Sequence, residues 1–232
     1  MKVKYEINSS NFYKIPGNPI AYWIPLKTFQ LFEEKPKIGE LFISKTGMTT
    51  GDNNRFLRNW YEVDSRLVHK KWMFYNKGGG FRKWYGNIEN IIFWENNGEL
   101  VKNANCSTIR NPNYYFHKCI SWNLITTDRI SVRALDDIFV MGDAGPACYF
   151  NNDADYWFML GLLNSIVSDY ILKIINPTIN YSCGVMDVFP VCYGEIVKNA
   201  FIKDISYFNT KISKKDWDSF ETSWDFSKHP LI

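Results

Sequence analysis

Two glycine-containing strings hold the side chains of this 232-residue sequence best suited to chemistry. In GDNNRFLR, Gly51 permits close backbone approach, Asn53 and Asn54 offer paired donors and acceptors, and Arg55 offers a planar guanidinium fork. Side chains of these types read base edges and grip phosphates. The same string suits a solvated turn in which Asp52 and Asn53 bond their own backbone. In NKGGGFRKWYGN, Lys77, Arg82 and Lys83 flank Gly78, Gly79 and Gly80, beside Phe81, Trp84 and Tyr85. Exposed N–H groups and cations suit a phosphate strand, and aromatic faces suit base stacking, with Lys77 and Arg82 the preferred phosphate contacts. The alternative is a glycine-hinged hairpin tip whose aromatics pack inward. The string lacks the G-x-x-x-x-G-K-[ST] spacing of a nucleotide-binding loop.

Charge patterning agrees with a polyanion site. The chain has 27 basic and 24 acidic residues, a net charge of +3, yet Lys45 to Gly86 alone carries nine basic and three acidic residues. That segment stands at +6 and the remainder at −3, so the positive charge gathers where glycine, asparagine and aromatics are also dense. Other chemistries find less. His69, His117 and His229 are scattered, with no H-E-x-x-H and no C-x-x-C pair, so no metal site is expected. Asp136 with Asp137, and Asp153 with Asp155, read as capping carboxylates. No G-x-S-x-G elbow is present. Asn111-Pro112-Asn113-Tyr114 approximates the [DNS]-P-P-[YF] loop with which amino-methyltransferases hold a flipped adenine, but the second proline is missing. No glycine-rich strand-to-helix turn for a methyl-donor nucleotide precedes it, and it reads as a turn.

The elements that must position these strings follow from composition and period. With 46% hydrophobic and 22% charged residues the chain folds, and disordered or collagen-like classes are excluded. Its length is near the upper size for a single core. Aromatics at 17% are too many to bury completely, so some line a binding surface. Five cysteines without C-x-x-C pairing, and an opening MKVKYEINSSNFYK without an apolar leader, place the chain in a reducing, cytoplasmic setting. The apolar stretch from Tyr156 to Ile175 carries Asn164, Ser165, Ser168, Asp169 and Lys173, which marks a soluble helix and no membrane span.

Along the chain we expect a short helix over Pro25–Glu34, a strand over Glu40–Lys45 and a loop over Thr46–Asn59. Hairpin-like β structure follows between Lys71 and Trp94, with a buried strand over Ile88–Trp94, and β-type runs YYF, ISWNLIT, ISVRAL and IFVMG lie between Tyr114 and Val140. One long helix, Asp153 to Ile175, is capped at Asn152 and Asp153 and stopped by Asn176-Pro177. Thr178–Val191 reads as extended and Glu195–Phe220 as a partly helical tail. The expected class is α+β: a mixed or antiparallel β-rich domain over residues 1–192 with a long packed helix, then a partly helical extension over 193–232.

The strings KIPGNPIAYWI, TGMTTGDNNRFLRNWYEV, KKWMFYNKGGGFRKWYGN, IIFWENNGEL, RNPNYYFHKCISWNLIT, LGLLNSIVSDYILKIINPTINY and SWDFSKHPL occur here in that order. Together they resemble the C-terminal part of the PglX family, the adenine-specific DNA methyltransferases of BREX phage-exclusion systems, over nearly the whole chain. In that family the N-terminal part carries the methyl-donor fold and the N-P-P-Y loop, and the C-terminal part is a target-recognition domain similar to the TaqI-like specificity domain. The resemblance therefore implies recognition of double-stranded DNA through Thr50, Gly51, Asp52, Asn53, Asn54 and Arg55 and through Lys77, Gly78, Gly79, Arg82, Lys83, Trp84 and Tyr85. Arg110 and Asn180 are implied more weakly. Catalysis is not implied for this chain, and S-adenosylmethionine would be the cofactor of the parent enzyme, none being expected here.

The leading expectation is a target-recognition domain that holds duplex while a separate N-terminal methyl-transfer domain flips and methylates an adenine at N6. On it, Arg55→Ala and Arg82→Ala each weaken duplex binding without unfolding the chain. A rival from the enzyme class has the chain itself methylate or cut DNA, which binding of S-adenosylmethionine would reveal. A third reading is a protein-interaction module for other phage-defence components, with Trp60 and Trp84 as hot spots.

Overall fold

The computed structural model of the chain describes residues 6–127 and 129–232. The first five residues of the opening segment read above for a leader lie outside the described residues. Among the described residues eight short strands form two four-stranded sheets. In the first, β1 (Ile43–Lys45), β8 (Ala147–Tyr149), β5 (Cys119–Trp122) and β6 (Val132–Leu135) lie side by side in that order, all antiparallel. In the second the order is β2 (Leu57–Asn59), β4 (Asn90–Phe93), β3 (Trp72–Asn76) and β7 (Phe139–Met141); only β3 and β7 run parallel.

The first sheet is covered on both faces, and its sequence shows it. Every residue of β5 and β6 is buried, so the strands read as continuous runs rather than alternating ones. Ile120, Trp122, Val132, Ala134 and Cys148 point into one core with α1 (Leu26–Glu34), α5 (Asp153–Leu163) and α6 (Ile166–Ile175). The alternate positions Cys119, Leu135 and Ala147 point into a second core shared with Phe74, Ile91, Ile92 and Val140 of the other sheet. Ser121 and Arg133 face each other in register on that same side, so a hydroxyl and a cation are placed between the sheets.

The α+β class, the β3–β4 hairpin and the helix before Pro36 match the expectations. The single long helix does not. Asn152 caps α5 as expected, its Oδ1 accepting from the Asp155 N–H, and Asn176 ends α6, but the chain turns through 74° between Leu163 and Ile166. Asn164 causes the break. Its side chain accepts from the Val132 N–H at 3.1 Å and donates to the Val132 carbonyl at 2.9 Å, sharing the outer edge of β6 with the Trp84 main chain, and Ser165 then caps α6.

Other expectations shift in detail. The run Glu40–Lys45 opens in a four-residue helix, α2 (Ile38–Leu41), and only its second half pairs as β1. The loop over Thr46–Asn59 contains α3 (Asn53–Phe56) and β2, because the Asp52 carboxylate accepts from the Arg55 N–H and starts a turn of helix. The run YYF is no strand: Phe116 sits at φ 58°, which breaks extension. Within Thr178–Val191, Ser182 caps α7 (Cys183–Asp187). After α4 (Glu95–Lys102) and these elements, α8 (Ala200–Trp217) crosses α5, with buried Ser206 against Gly161, where a Cβ would lie 2.5 Å from the serine oxygen. Beyond it, Trp224 stacks edge-on to Trp60 and Phe74, so the tail spans both cores. Among the described residues no single helix is long and apolar enough to cross a membrane.

Candidate nucleic-acid interface

The segment after β1 is laced to its neighbours by main-chain bonds. Met48 N–H donates to Met141 O, Asp143 N–H to Met48 O, and Thr49 and Thr108 exchange both of their bonds. This holds the next residues in place. Thr50 is buried and donates through Oγ1 to Asn53 Oδ1 at 2.5 Å, and among the described residues the Asn53 Nδ2 is uncommitted. Gly51, at φ 68°, passes so close to Cys106 that a Cβ would lie 1.9 Å from its carbonyl oxygen. Phe56 is buried and anchors α3, while Asp52, Asn53, Asn54 and Arg55 are exposed. The Arg55 guanidinium lies 4.8 Å from the Phe56 ring centroid, and no carboxylate pairs with it among the described residues.

The second string reaches the same place from β3. Lys77, exposed, follows buried Asn76 and joins Thr49, Thr50, Gly51, Asn53, Tyr75, Asp143 and Ala144 around a cleft of about 270 Å³. Burial and nearby Asp143 raise the Tyr75 phenol, which stays protonated and donates to Met48 O at 3.1 Å. Arg110 donates to Thr49 Oγ1 at 3.3 Å, and Thr49 donates to Asp143 Oδ2 at 2.9 Å, so the arginine stands at the cleft rim. Gly78, Gly79 and Gly80 continue the edge, since Leu124 N–H donates to Ala144 O and Asn123 reaches the Gly79 carbonyl. Asn180 lies further along it, exposed and bridged to Ile125. Thr50, Gly51, Asn53 and Lys77 therefore line one cleft with Arg110 at its rim, Asp52, Asn54 and Arg55 are exposed beside it, and Asn180, tied to Ile125, stands outside it.

Arg82, Lys83, Trp84 and Tyr85 are placed differently. Arg82 pairs with Asp216 at 2.6 Å, donates to Tyr85 O at 3.0 Å and covers the Trp217 ring at 4.9 Å. Lys83 donates to Asn164 O at 2.7 Å. Trp84 exchanges main-chain bonds with Val132 and Ala134 and packs on the first core. Burial, opposed by Lys214, raises the Tyr85 phenol, which accepts from the Lys214 ammonium at 3.2 Å. The string divides at Gly80: its first half lines the cleft margin and its second half clasps α8. Trp60 likewise donates to Thr222 O and packs on Trp224.

Residues that sequence reading passed over also meet at the margin. Asp143 sits in MGDAG, which looks like an ordinary turn. Asn123 and Arg133 lie beneath the glycines, and Arg133 left one legible sign, a charge inside the otherwise apolar run ISVRAL. The buried thiols are no nucleophiles: burial pushes Cys148 up to about 12, and Cys119 is raised for the same reason. No group of three or more His, Cys, Asp or Glu among the described residues is placed to hold a metal.

Fold and margin together define an α+β domain that presents amides, hydroxyls and, among the described residues, unpaired cations along one edge over a polar network. Comparison with known proteins narrows this class. The chain is 37% identical to the adenine-specific methyltransferase BrxX of Escherichia coli O9:H4 (strain HS) over 96% of its own length and 19% of that protein's. It is 32% identical to the adenine-specific methyltransferase PglX of Lacticaseibacillus casei (strain Zhang) over 98% of its length and 20% of that protein's. The resemblance to PglX methyltransferases thus holds across nearly the whole chain, which spans about one fifth of the length of these relatives. No protein-family model matches it.

Proposed function

We propose that this chain is the DNA target-recognition part of an adenine-specific (N6) DNA methyltransferase of a phage-defence system, working in the cytoplasm. In this reading residues 1–192 face the duplex and 193–232 buttress them, while a separate methyl-transfer domain supplies the chemistry. The observation that carries it is the meeting of two distant strings, Thr50–Arg55 and Lys77–Gly79, with Arg110 at one polar margin. Free cations there bind backbone phosphates, and Asn53 and Asn54 suit base edges. The triple-glycine turn after β3 leads into the α8 clasp and β4, where a site for the methyl donor S-adenosylmethionine needs a helix. We assign that cofactor to the separate domain. The testing experiment is a fluorescence-anisotropy titration of the chain with duplex at several salt concentrations. Binding that weakens with salt supports the reading, and absence of binding at low salt removes it for the isolated chain.

A second reading, a protein-interaction module, is favoured by one observation. Phe201, Ile205, Phe208 and Ile212 form an exposed apolar stripe on α8, at four- and three-residue steps. Cross-linking from this stripe to another phage-defence component, abolished by Phe208→Ser while duplex binding persists, would establish it.

A further inference from the structure

Arg133, in the middle of β6 between the two sheets, is 1% exposed. Burial draws its guanidinium down to about 10, so it remains a cation at neutral pH. Its partners are all neutral: Nη2 donates to Asn123 Oδ1 at 2.7 Å, and Nη1 lies 3.5 Å from Ser131 Oγ and 3.4 Å from Arg82 O. Among the described residues no carboxylate pairs with it. Burying an ion in this way is costly, and without a counter-charge its field is felt at the nearest surface.

That surface is the glycine turn. Asn123, itself buried, accepts from Arg133 and donates through Nδ2 to Gly79 O at 2.5 Å and Gly80 O at 3.2 Å. Asn87 Nδ2 donates to Gly80 O at 2.8 Å. Both carbonyls are therefore held inward. In a trans peptide the N–H points opposite to the C=O. The N–H groups of Gly80 and Phe81 consequently face away from Asn123, toward solvent, and no bond within the described chain uses them. Gly79, at φ 133°, permits this turn, and a Cβ there would lie 2.7 Å from the Asn87 amide. Adjacent outward N–H groups make an anion-binding concavity.

We infer that the Gly80 and Phe81 N–H groups form a phosphate site, charged from beneath by Arg133, that takes a phosphodiester group of duplex DNA. Arg133 acts as a positioning residue: it holds Asn123 and supplies field without touching the ligand. The duplex as source of the phosphate rests on the function proposed above, whereas the anion chemistry stands on the turn itself.

The test is a backbone-amide NMR titration of the full chain with inorganic phosphate, against chloride at matched ionic strength. Saturable shifts at Gly80 and Phe81 are expected. Arg133→Met should weaken phosphate binding roughly tenfold, the scale of one unit charge lost in a medium of intermediate dielectric. Arg133→Lys, which keeps the charge, should retain affinity. The methionine variant removes an uncompensated buried ion but leaves the Asn123 Oδ1 without its donor, so its fold is checked by circular dichroism. Should it not fold, Gly80→Pro and Gly80→Ala replace it: a Cβ at Gly80 meets nothing within 4 Å, and only proline removes the N–H. Affinity lost with proline and kept with alanine supports the site. Absence of shifts at Gly80 and Phe81 overturns it, even where duplex still binds. Shifts with phosphate but no binding of duplex uphold the anion site and overturn DNA as its source.

Discussion

The sharpest consequence of the margin concerns which cations meet phosphate. Among the described residues Arg55, Lys77 and Arg110 stand exposed without a carboxylate partner, whereas Arg82 is spent on Asp216, Trp217 and Tyr85 O. Three phosphate contacts give a slope of log affinity against log salt of about −2.7, so raising salt from about 50 to about 200 mM weakens binding roughly fortyfold. The variant Arg55→Ala/Lys77→Ala should leave a slope near about −0.9, a weakening of roughly three- to fourfold over the same interval. Arg82→Ala should leave the slope unchanged and instead lower stability by about 1–2 kcal/mol, through lost packing and hydrogen bonds to α8. This differs from the sequence-based expectation that Arg82→Ala and Arg55→Ala each weaken duplex binding. Anisotropy titrations at four salt concentrations, with urea unfolding of each variant, measure both quantities. An Arg82→Ala slope that falls by as much as that of Lys77→Ala, with unaltered stability, would refute the division of the string at Gly80.

Two further predictions concern the frame. Asn164→Ala orphans the buried Val132 N–H, while the Val132 C=O keeps the Trp84 N–H, so urea unfolding should show a loss of about 2 kcal/mol; a loss under about 1 kcal/mol would mean that the α5–α6 corner does not depend on it. In thiol titration of the native chain, exposed Cys106 and Cys192 should react quickly and buried Cys119 and Cys148 only on unfolding. Burial pushes half-buried Cys183 up to about 11, so its thiolate is scarce at neutral pH and its reaction should quicken as pH rises toward that value. Rapid labelling of Cys148 at neutral pH would contradict the double-covered first sheet.

Where local chemistry decides structure, the sequence was readable. Asn152 and Asn176 bound the helical region because a cap and a proline act on their own neighbours, and the apolar runs around the glycine break pair as β3 and β4. The break at Asn164 was hidden because its decisive partner, Val132, is 32 residues away and a polar residue fits any helix period. The same holds for the second glycine string. Lys83, Trp84 and Tyr85 look like a stacking platform until Asn164, Val132 and Lys214 claim them from elsewhere in the chain. In the candidate site, the glycines, amides and Lys77 were identified by type. Asp143 and Asn123 were not, since a turn aspartate and a strand-end asparagine carry no signal until the fold turns them toward the margin.

The central claim is sequence recognition, and its most direct measurement is selection of duplexes from a randomised pool by this chain, with sequencing of the bound fraction. The account predicts enrichment of one short motif, lost when Asn53 and Asn54 are replaced by alanine while salt-dependent affinity persists. Tight binding with no enriched motif, or enrichment indifferent to those two asparagines, would contradict it.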